Sequence, residues 1–554
     1  MPGSSMSRRT LLRSIAVGGA ALAAPSVLTA CSSSDSGGGG VANAGKKLAP
    51  WPSYVPFSGP KPDLAPTEQG VQAGYTAYPS DLVKSVADTP GDGSTIKVMS
   101  VSFGTPPKAA SSNKFWQAVE KALGVKIDYT VISQTDYQKK MATVMTGEAG
   151  ELPDIINIFS GFTLPREAQF VQRRAEDLTP YLSGEAVKEY PNLANIPTHA
   201  WRDMGRIGGR IYGIPLERPL PGSTLWLNQD YFEAAGMTVG DAWTSEEFAA
   251  VAKKGTSGKK YALGAAVGSL FGNAVHSAAH GAPQGWAVDK DGTFLPGAAD
   301  ERYKEAIAYQ LQLRKAGSYH PDATSISQPD LYGLYLGGTV GSMQDGFGAY
   351  LPKYLDSEGK FTPAAALPYS VGGAPGGIVA ARRSFGYTVL KKAKKEHIQL
   401  LLRILDYLAA PFGSEEWELV HYGVEGTHFT RGKDGSPVAN DLGKVENNTN
   451  LPLKYLAEGP QVLFVPNMPD AVRALHAWQQ KVVPVAIRNA SYGLQSETQT
   501  AQGTTLKAML DDTVTGIIAG RTPLSEWDAA VKKWRSRGGD RIAEELAKDY
   551  AANH

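Results

Sequence analysis

The chain has 554 residues, 42% of them hydrophobic and 20% charged, a globular balance in a length that exceeds one ordinary core and predicts two lobes or more. Lys and Arg number 55 against 54 Asp and Glu, a formal net charge of +1, so no basic field recruits nucleic acid. Cys31 is the only cysteine, which excludes an internal disulfide.

In chain order, Arg8 and Arg9 precede an uncharged run from Ser14 to Ala30. That run is short of the about 20 predominantly apolar residues a comfortable membrane span needs. A basic n-region, an apolar h-region and a small-residue cleavage site mark an export signal. SRRTLLR at Ser7–Arg13 resembles a twin-arginine signal, although the residues leave the choice between that route and the general one open. LTAC at Leu28–Cys31 resembles a lipobox, whose Cys thiol takes a diacylglycerol and becomes the new N-terminus. A plain anchor helix with an incidental Cys is the weaker reading, because a lone free thiol is ill placed in an oxidising space. SSSDSGGGG follows as a flexible tether. The expectation is a lipid-anchored protein on the extracytoplasmic face of the cell membrane: a signal over residues 1–31, then a linker and Pro-rich stretch over 32–92. Lys46 to Pro90 has weak periodicity and predicts an extended segment that wraps the body.

The folded body begins near Thr95. Ile96–Val101 alternates as a strand does, Asn113–Leu123 carries Phe115, Trp116, Val119 and Leu123 on one helical stripe, and Gly124 stands where a C′ glycine closes a helix. A strand at Val125–Val131, a helix at Asp136–Thr146 and a mostly apolar strand at Leu152–Phe159 follow. This β-α-β-α-β run predicts right-handed crossovers and a parallel sheet. Ligands of such sheets sit beyond the carboxyl ends of the strands, which places Phe103-Gly104 and Phe159-Ser160-Gly161 at a binding mouth. Further on, strands are predicted at Ile211–Ile214 and Leu225–Asn228, with a helix beginning at Gln229. A capped helix is predicted to start within Trp243-Thr244-Ser245-Glu246-Glu247-Phe248, an amphipathic helix at Glu396–Leu408, and closing helices at Ser525–Arg535 and Arg541–Tyr550.

Several stretches together carry a resemblance: LPDIINIF at Leu152–Phe159, GGRIYGIPLERP at Gly208–Pro219, LWLNQDYFEAAGM at Leu225–Met237 running into AWTSEEF at Ala242–Phe248, LLRILDYLAAPFGSEEWELVHYGVEGTHF at Leu401–Phe429, and LSEWDAAVKKWRSRGGDRIAEELAKDY at Leu524–Tyr550. None is specific alone; their order and spacing behind a lipobox make the match. The chain resembles an extracellular solute-binding protein of a carbohydrate ABC importer, within it the large branch linked to aldouronate, alginate and other oligosaccharides. The resemblance implies an α/β, two-lobed periplasmic-binding-protein-like fold of type II, with a ligand cleft between lobes joined by crossing hinge strands. Lobe one would comprise residues 93–221 plus 383–455, and lobe two 222–382 plus 456–554. The implied partners are a saccharide ligand and ABC permease subunits, with the membrane reached through lipidated Cys31. A monomer without cofactor is expected. Alginate-binding relatives carry a calcium loop after the helix that follows the Trp-Thr motif; here Lys253–Gly264 reads KKGTSGKKYALG without one acidic residue, and Ca²⁺ needs oxygen ligands, usually carboxylates. No metal site is carried over.

No nucleophile elbow or phosphate-cradling loop occurs. His276 and His280 are four apart but lack the Glu of a zinc-protease motif, which favours ordinary packing histidines. Gly372–Gly377 suits a surface loop. For ligand binding, the candidates are Phe103 and Phe159 after strands, Glu217 and Arg218 at the first lobe crossing, Trp286 in the Gly-flanked GAPQGWAV, Asp345, Phe347 and Tyr350 in MQDGFGAY, Tyr387 at the return crossing, and Trp417 in EWELVHYG. Trp286 and Phe347 are favoured because large apolar groups in Gly-rich loops seldom have a core to enter. Trp226, Trp243 and Trp527 suit core packing, Trp417 suits core and cleft equally, and the glycines at Gly423 and Gly426 suit a tight turn. The expected function is saccharide capture without catalysis and delivery to a permease. The alternatives are a secreted carbohydrate-active enzyme, which needs two carboxylates about 5–10 Å apart across the cleft, and a binder of a non-sugar solute such as a peptide.

Overall fold

The computed structural model describes residues 40–357 and 359–553; the signal, the lipobox and Cys31 lie outside them. Strand β1 (Thr95–Ser102), helix α1 (Lys114–Leu123), strand β2 (Lys126–Ser133), helix α2 (Gln134–Thr146) and strand β3 (Ile155–Phe159) come in the predicted order. Asn113 caps α1 by accepting from Trp116 N, and Gly124 ends it with φ 66°, a conformation glycine adopts without Cβ strain. Strands β2 and β3 both pair parallel to β1, Val98 standing opposite Ile155. A return strand, Ser384–Leu390, then pairs antiparallel with β3 and with β4 (Gly213–Glu217), giving a five-stranded sheet in the order β2-β1-β3-return-β4. β4 starts two residues later than the Ile211 expected from its pattern. Ile211 bonds the turn at Leu178 and Thr179 instead, and pairing with the return strand begins at Gly213.

All five residues of β3 are buried, as helices on both faces require. One face packs Ile96, Val98 and Ile155 against Phe115 and Val119 of α1 and Leu401 and Leu405 of the helix Lys395–Leu408. The other packs Met99, Ile156 and Ile158 against Tyr137 and Met141 of α2 and Phe170 of α3 (Glu167–Arg174). Each fully buried apolar side chain contributes about 1.5–3 kcal/mol, so this three-layer stack is a core in its own right.

A second sheet is built on β5 (Ser223–Asn228), flanked antiparallel by Ser342–Gly346 and Pro363–Ala365. It has its own apolar layers: Leu225, Leu227, Phe232 and Phe248 on one side, Trp226, Met343 and Trp478 on the other. The predicted capping box at the helix Ser245–Gly255 is present, Thr244 and Glu247 bonding reciprocally. The two sheets are joined where the chain passes from β4 to β5 and returns through residues 378–384. Gly222 N donates to Val379 O at 2.8 Å and Ala381 N to Leu220 O at 2.8 Å. A Cβ on Gly222 would stand 2.9 Å from Val379 O, so this close approach needs a glycine. Ala486–Ile487 adds a third strand at the junction, parallel to Ile378–Val379. Ahead of β1, residues 40–94 hold no helix and only isolated bridges, such as Leu64 to Gly74 and Val83 to Ser414. They run along the body from Val41 and Ala49, packed on the first sheet's layers, to Leu64 against the second sheet's.

Candidate ligand-binding site

The carboxyl ends of β1 and β3 lie side by side because the two strands pair in parallel. They deliver Phe103 and Phe159 to one place, ring centroids 5.6 Å apart and edge to face. The return strand runs the other way, so its first residues arrive at the same end. Phe385 packs 4.7 Å from Phe159, and Ser160 donates to Phe385 O through both N and Oγ. Tyr455 closes the group, stacked on Phe385 at 5.1 Å and 16° and edge-on to Phe103 at 5.7 Å. Phe159 and Tyr455 are buried, whereas Phe103 is 45% exposed. An aromatic face left in water at the end of a parallel sheet, and backed by three other rings, is a rigid surface for an apolar ring face.

Arg218 sits beside this platform at the exit of β4, its guanidinium carbon 4.4 Å from the Phe385 ring centre. Its Nη1 donates to Glu217 O at 2.7 Å and to Glu458 Oε2 at 2.8 Å. The Glu217 carboxylate turns away into the junction, 3.3 Å from His199 Nε2, and accepts from Gln461 N at 3.1 Å. Burial by itself would raise the Glu458 carboxyl, but Arg218, then His421 and Lys454, outweigh it and hold the group down at about 2. His421 is 3.9 Å from Glu458 and stacks on Trp417 at 4.1 Å. The second sheet's side is represented by Gly348, where a Cβ would stand 3.8 Å from Arg218 Cδ and 3.6 Å from Gln461 Oε1. Donors, acceptors and an aromatic face thus converge at the junction of the two sheets.

Of the residues singled out in the sequence, Phe103, Phe159, Glu217 and Arg218 are brought together here. Trp417 stands behind them, packed on Phe412 at 4.8 Å as well as on His421. Tyr387 lies further along the return strand and donates to Glu167 at 2.7 Å. Asp345 belongs to the second sheet and is bound by the buried Lys353 at 2.5 Å. Three placements correct the expectation that aromatics in Gly-rich surroundings lack a core. Phe347 is 0% exposed and stacks on Trp478 at 5.0 Å and 6°. Tyr350 is buried and donates to Val462 O. Trp286 starts the short strand Trp286–Val288 and is buried against Trp534 and Phe294. For Phe347 and Trp286 a helix far along the chain, Pro469–Val482 or Glu526–Trp534, supplies a covering side chain, and Tyr350 is held by the segment at Val462 and Phe464.

Phe385, Tyr455, Glu458 and Gln461 are at the platform without having been singled out. The signal for Phe385 was its place two residues before Tyr387 on the same strand; Glu458 and Gln461 lie in an irregular segment with no periodic signal at all. Trp226, Trp243 and Trp527 are buried, as their patterns suggested. His276 bonds Tyr369 at 2.8 Å and Tyr319 at 3.1 Å, and burial, with His280 beside it, lowers it to about 3, a packing histidine in a polar core cluster. Among the described residues no group of three His, Cys, Asp or Glu is placed to hold a metal ion, and no helix is long and apolar enough to cross a membrane.

Comparison with known proteins gives this geometry its context. The chain is 23% identical over 472 residues to the polygalacturonan/rhamnogalacturonan-binding protein YtcQ of Bacillus subtilis (strain 168), covering 80% of this chain and 89% of that one. It is 23% identical over 493 residues to lipoprotein LipO of the same organism, covering 84% and 93%. The fold matches that of the S. pneumoniae ABC-transporter substrate-binding protein FusA in complex with kestose, with a TM-score of 0.59, 17% identity, 83% of this chain and 100% of that chain covered. The model of the bacterial extracellular solute-binding protein family matches residues 105–411, more than half of the chain, and that span takes in β2, β3, β4, β5 and the return strand, with Phe159, Arg218 and Phe385 of the platform. The chain is a member of that family.

Proposed function

We propose that this protein captures a saccharide, an oligosaccharide in particular, at the junction of the two sheets and delivers it to an ABC permease without altering it. The observation that carries the reading is Phe103, an exposed ring on a platform of three other aromatics, beside a guanidinium and a carboxylate. An aromatic face covers the CH face of a sugar ring, and charged donors and acceptors satisfy its hydroxyls. One relative is named for polygalacturonan and rhamnogalacturonan, and one structural neighbour is a complex with kestose, which supports the class. Lobes that close over such a ligand present the permease with a surface of different affinity from the open form.

We further propose that Cys31 carries a lipid and holds the receptor on the outer face of the membrane, exported by a twin-arginine signal. LipO, a lipoprotein by name, supports the anchor. Ligand-dependent melting over a panel of oligosaccharides and peptides tests the binding, since a ligand that binds only the folded form raises Tm. A shift with saccharides is expected. A shift with peptides alone, or release of cleaved sugar on incubation, would overturn the reading. Cys31→Ala is expected to leave binding intact and to release the protein from the membrane fraction.

A further inference from the structure

We infer that the subsite over Phe103 and Phe385 takes an uncharged sugar ring, presenting hydroxyls to Arg218, and that Glu458 excludes a sugar carboxylate from it; this rests on the saccharide reading above. Both bonds of the Arg218 side chain leave through Nη1, to Glu217 O and Glu458 Oε2. Among the described residues no group accepts from its Nε or Nη2. The ring of Phe385 beneath it fixes the plane of the guanidinium. Beside the platform is therefore a paired site: the three N–H groups of Nε and Nη2 and, 2.8 Å from Nη1 of the same guanidinium, the carboxylate of Glu458, a residue only 7% exposed.

A hydroxyl both accepts and donates. Neighbouring hydroxyls of a sugar can accept from Arg218 and give their protons to Glu458, leaving neither group unpaired. A uronate carboxylate only accepts. Brought within reach of Arg218 it would compete with Glu458 for one cation and stand against a like charge in a poorly hydrated place. Of the other groups that can carry charge, His421 stands 3.9 Å from Glu458 and stacks on Trp417. Arg383 has its Nη2 3.4 Å from where a Cβ on Gly70 would be and feels Glu217 and Asp203 as its acidic neighbours. Lys454 lies at the rim, 5.4 Å from the Tyr455 ring centre.

The test is calorimetric titration of the full chain with oligosaccharides offered in matched pairs, galacto-oligosaccharides against oligogalacturonides and cello-oligosaccharides against their C6-oxidised forms. The neutral member is expected to bind at least about tenfold more tightly, and Glu458→Gln, which removes the charge and keeps the shape, to narrow that gap. A uronate that binds the wild-type chain as tightly as its neutral twin, or more tightly, overturns the inference while leaving the saccharide reading standing. If no member of either series binds and peptides do, the saccharide reading falls and this inference with it. The wild-type comparison decides the sign even if Glu458→Gln does not fold.

Discussion

Phe103 and Phe347 share a local sequence, a Phe followed by Gly at the end of a strand, and meet opposite fates. Phe103 is 45% exposed; Phe347 is 0% exposed between Trp226 and Trp478. Phe347→Ala is expected to cost about 3–5 kcal/mol of stability, the usual range for a buried Phe. Phe103→Ala is expected to cost less, about 1–2 kcal/mol, because the ring is half exposed and meets its neighbours edge-on, yet to weaken saccharide binding about tenfold through lost stacking. Urea denaturation and calorimetry on both variants separate the two. Equal loss of stability, or unchanged affinity in Phe103→Ala, would refute the division between core and platform. Arg218 shows the same dependence on surroundings. As a residue it suggests an anion site, but its pairing with Glu458 makes it a neutral unit.

The helix Lys395–Leu408 was plain from its apolar stripe, but the stripe says nothing of Asp406. That carboxylate is buried, and its Oδ1 accepts from Asn192 N at 2.8 Å and Leu193 N at 2.9 Å, tying the helix to the short helix Pro191–Ala194. Burial pushes Asp406 up to about 7, the two N–H bonds opposing and nearby Glu416 adding to it. The folded pKa lies above the ordinary 3.8, so the stabilisation from this group is complete below about pH 4 and is lost as pH rises through about 7. Glu458, held down at about 2, acts in the other direction, contributing above its ordinary value and losing that contribution as pH falls toward 2. Asp406→Asn keeps an oxygen for the two N–H groups and removes the titration. Denaturation midpoints across pH 4 to 8 should therefore fall less steeply with rising pH in the variant than in the wild type; parallel slopes would contradict the assignment. Element boundaries were legible where the signal is local, as at the Thr244 capping box and Gly124. They slipped at β4, where the strand begins only once the return strand is there to pair.

The long helix Glu497–Ile518 ties the parts of the body together. Its far end buries Val514, Ile517 and Ile518 with Leu227 and Phe232 of the second sheet's core. Its first turns touch the loop after β3: Arg166 N donates to Thr500 O at 3.0 Å, and Thr504 Oγ1 to Thr163 O at 3.2 Å. Arg166 takes φ 58° to do so, a left-handed conformation that is uncommon outside glycine. The N-terminal segment adds a second tie, since Asn43 donates twice to the buried Asp549 of the last helix while accepting from Gly209 N. The exposed contact at Thr163 is one of the ties that a parting of the sheets would break. A Cβ on Gly503 would lie 3.7 Å from Thr163 Cγ2. The pair Thr163→Cys and Gly503→Cys, with Cys31→Ser, should therefore oxidise readily and slow ligand exchange about tenfold in stopped-flow measurements. Unchanged exchange rates in the oxidised protein would mean that this contact takes no part in opening.

Composition, periodicity and motif order were enough for the α/β class, the strand and helix order through β3, the family, and the placing of Phe103 and Phe159 side by side. Those properties follow from local spacing, and the carboxyl ends of parallel strands must lie together. Which aromatics face solvent was decided by tertiary structure alone. Phe347 and Trp286 are covered by Trp478 and Trp534, and Tyr350 is held by the segment at Val462 and Phe464, all of them distant in the chain; Phe385, Tyr455 and Glu458 reach the platform because the return strand and the segment after it fold back onto β3 and β4. Contacts of such sequence separation leave no trace in the pattern around either partner.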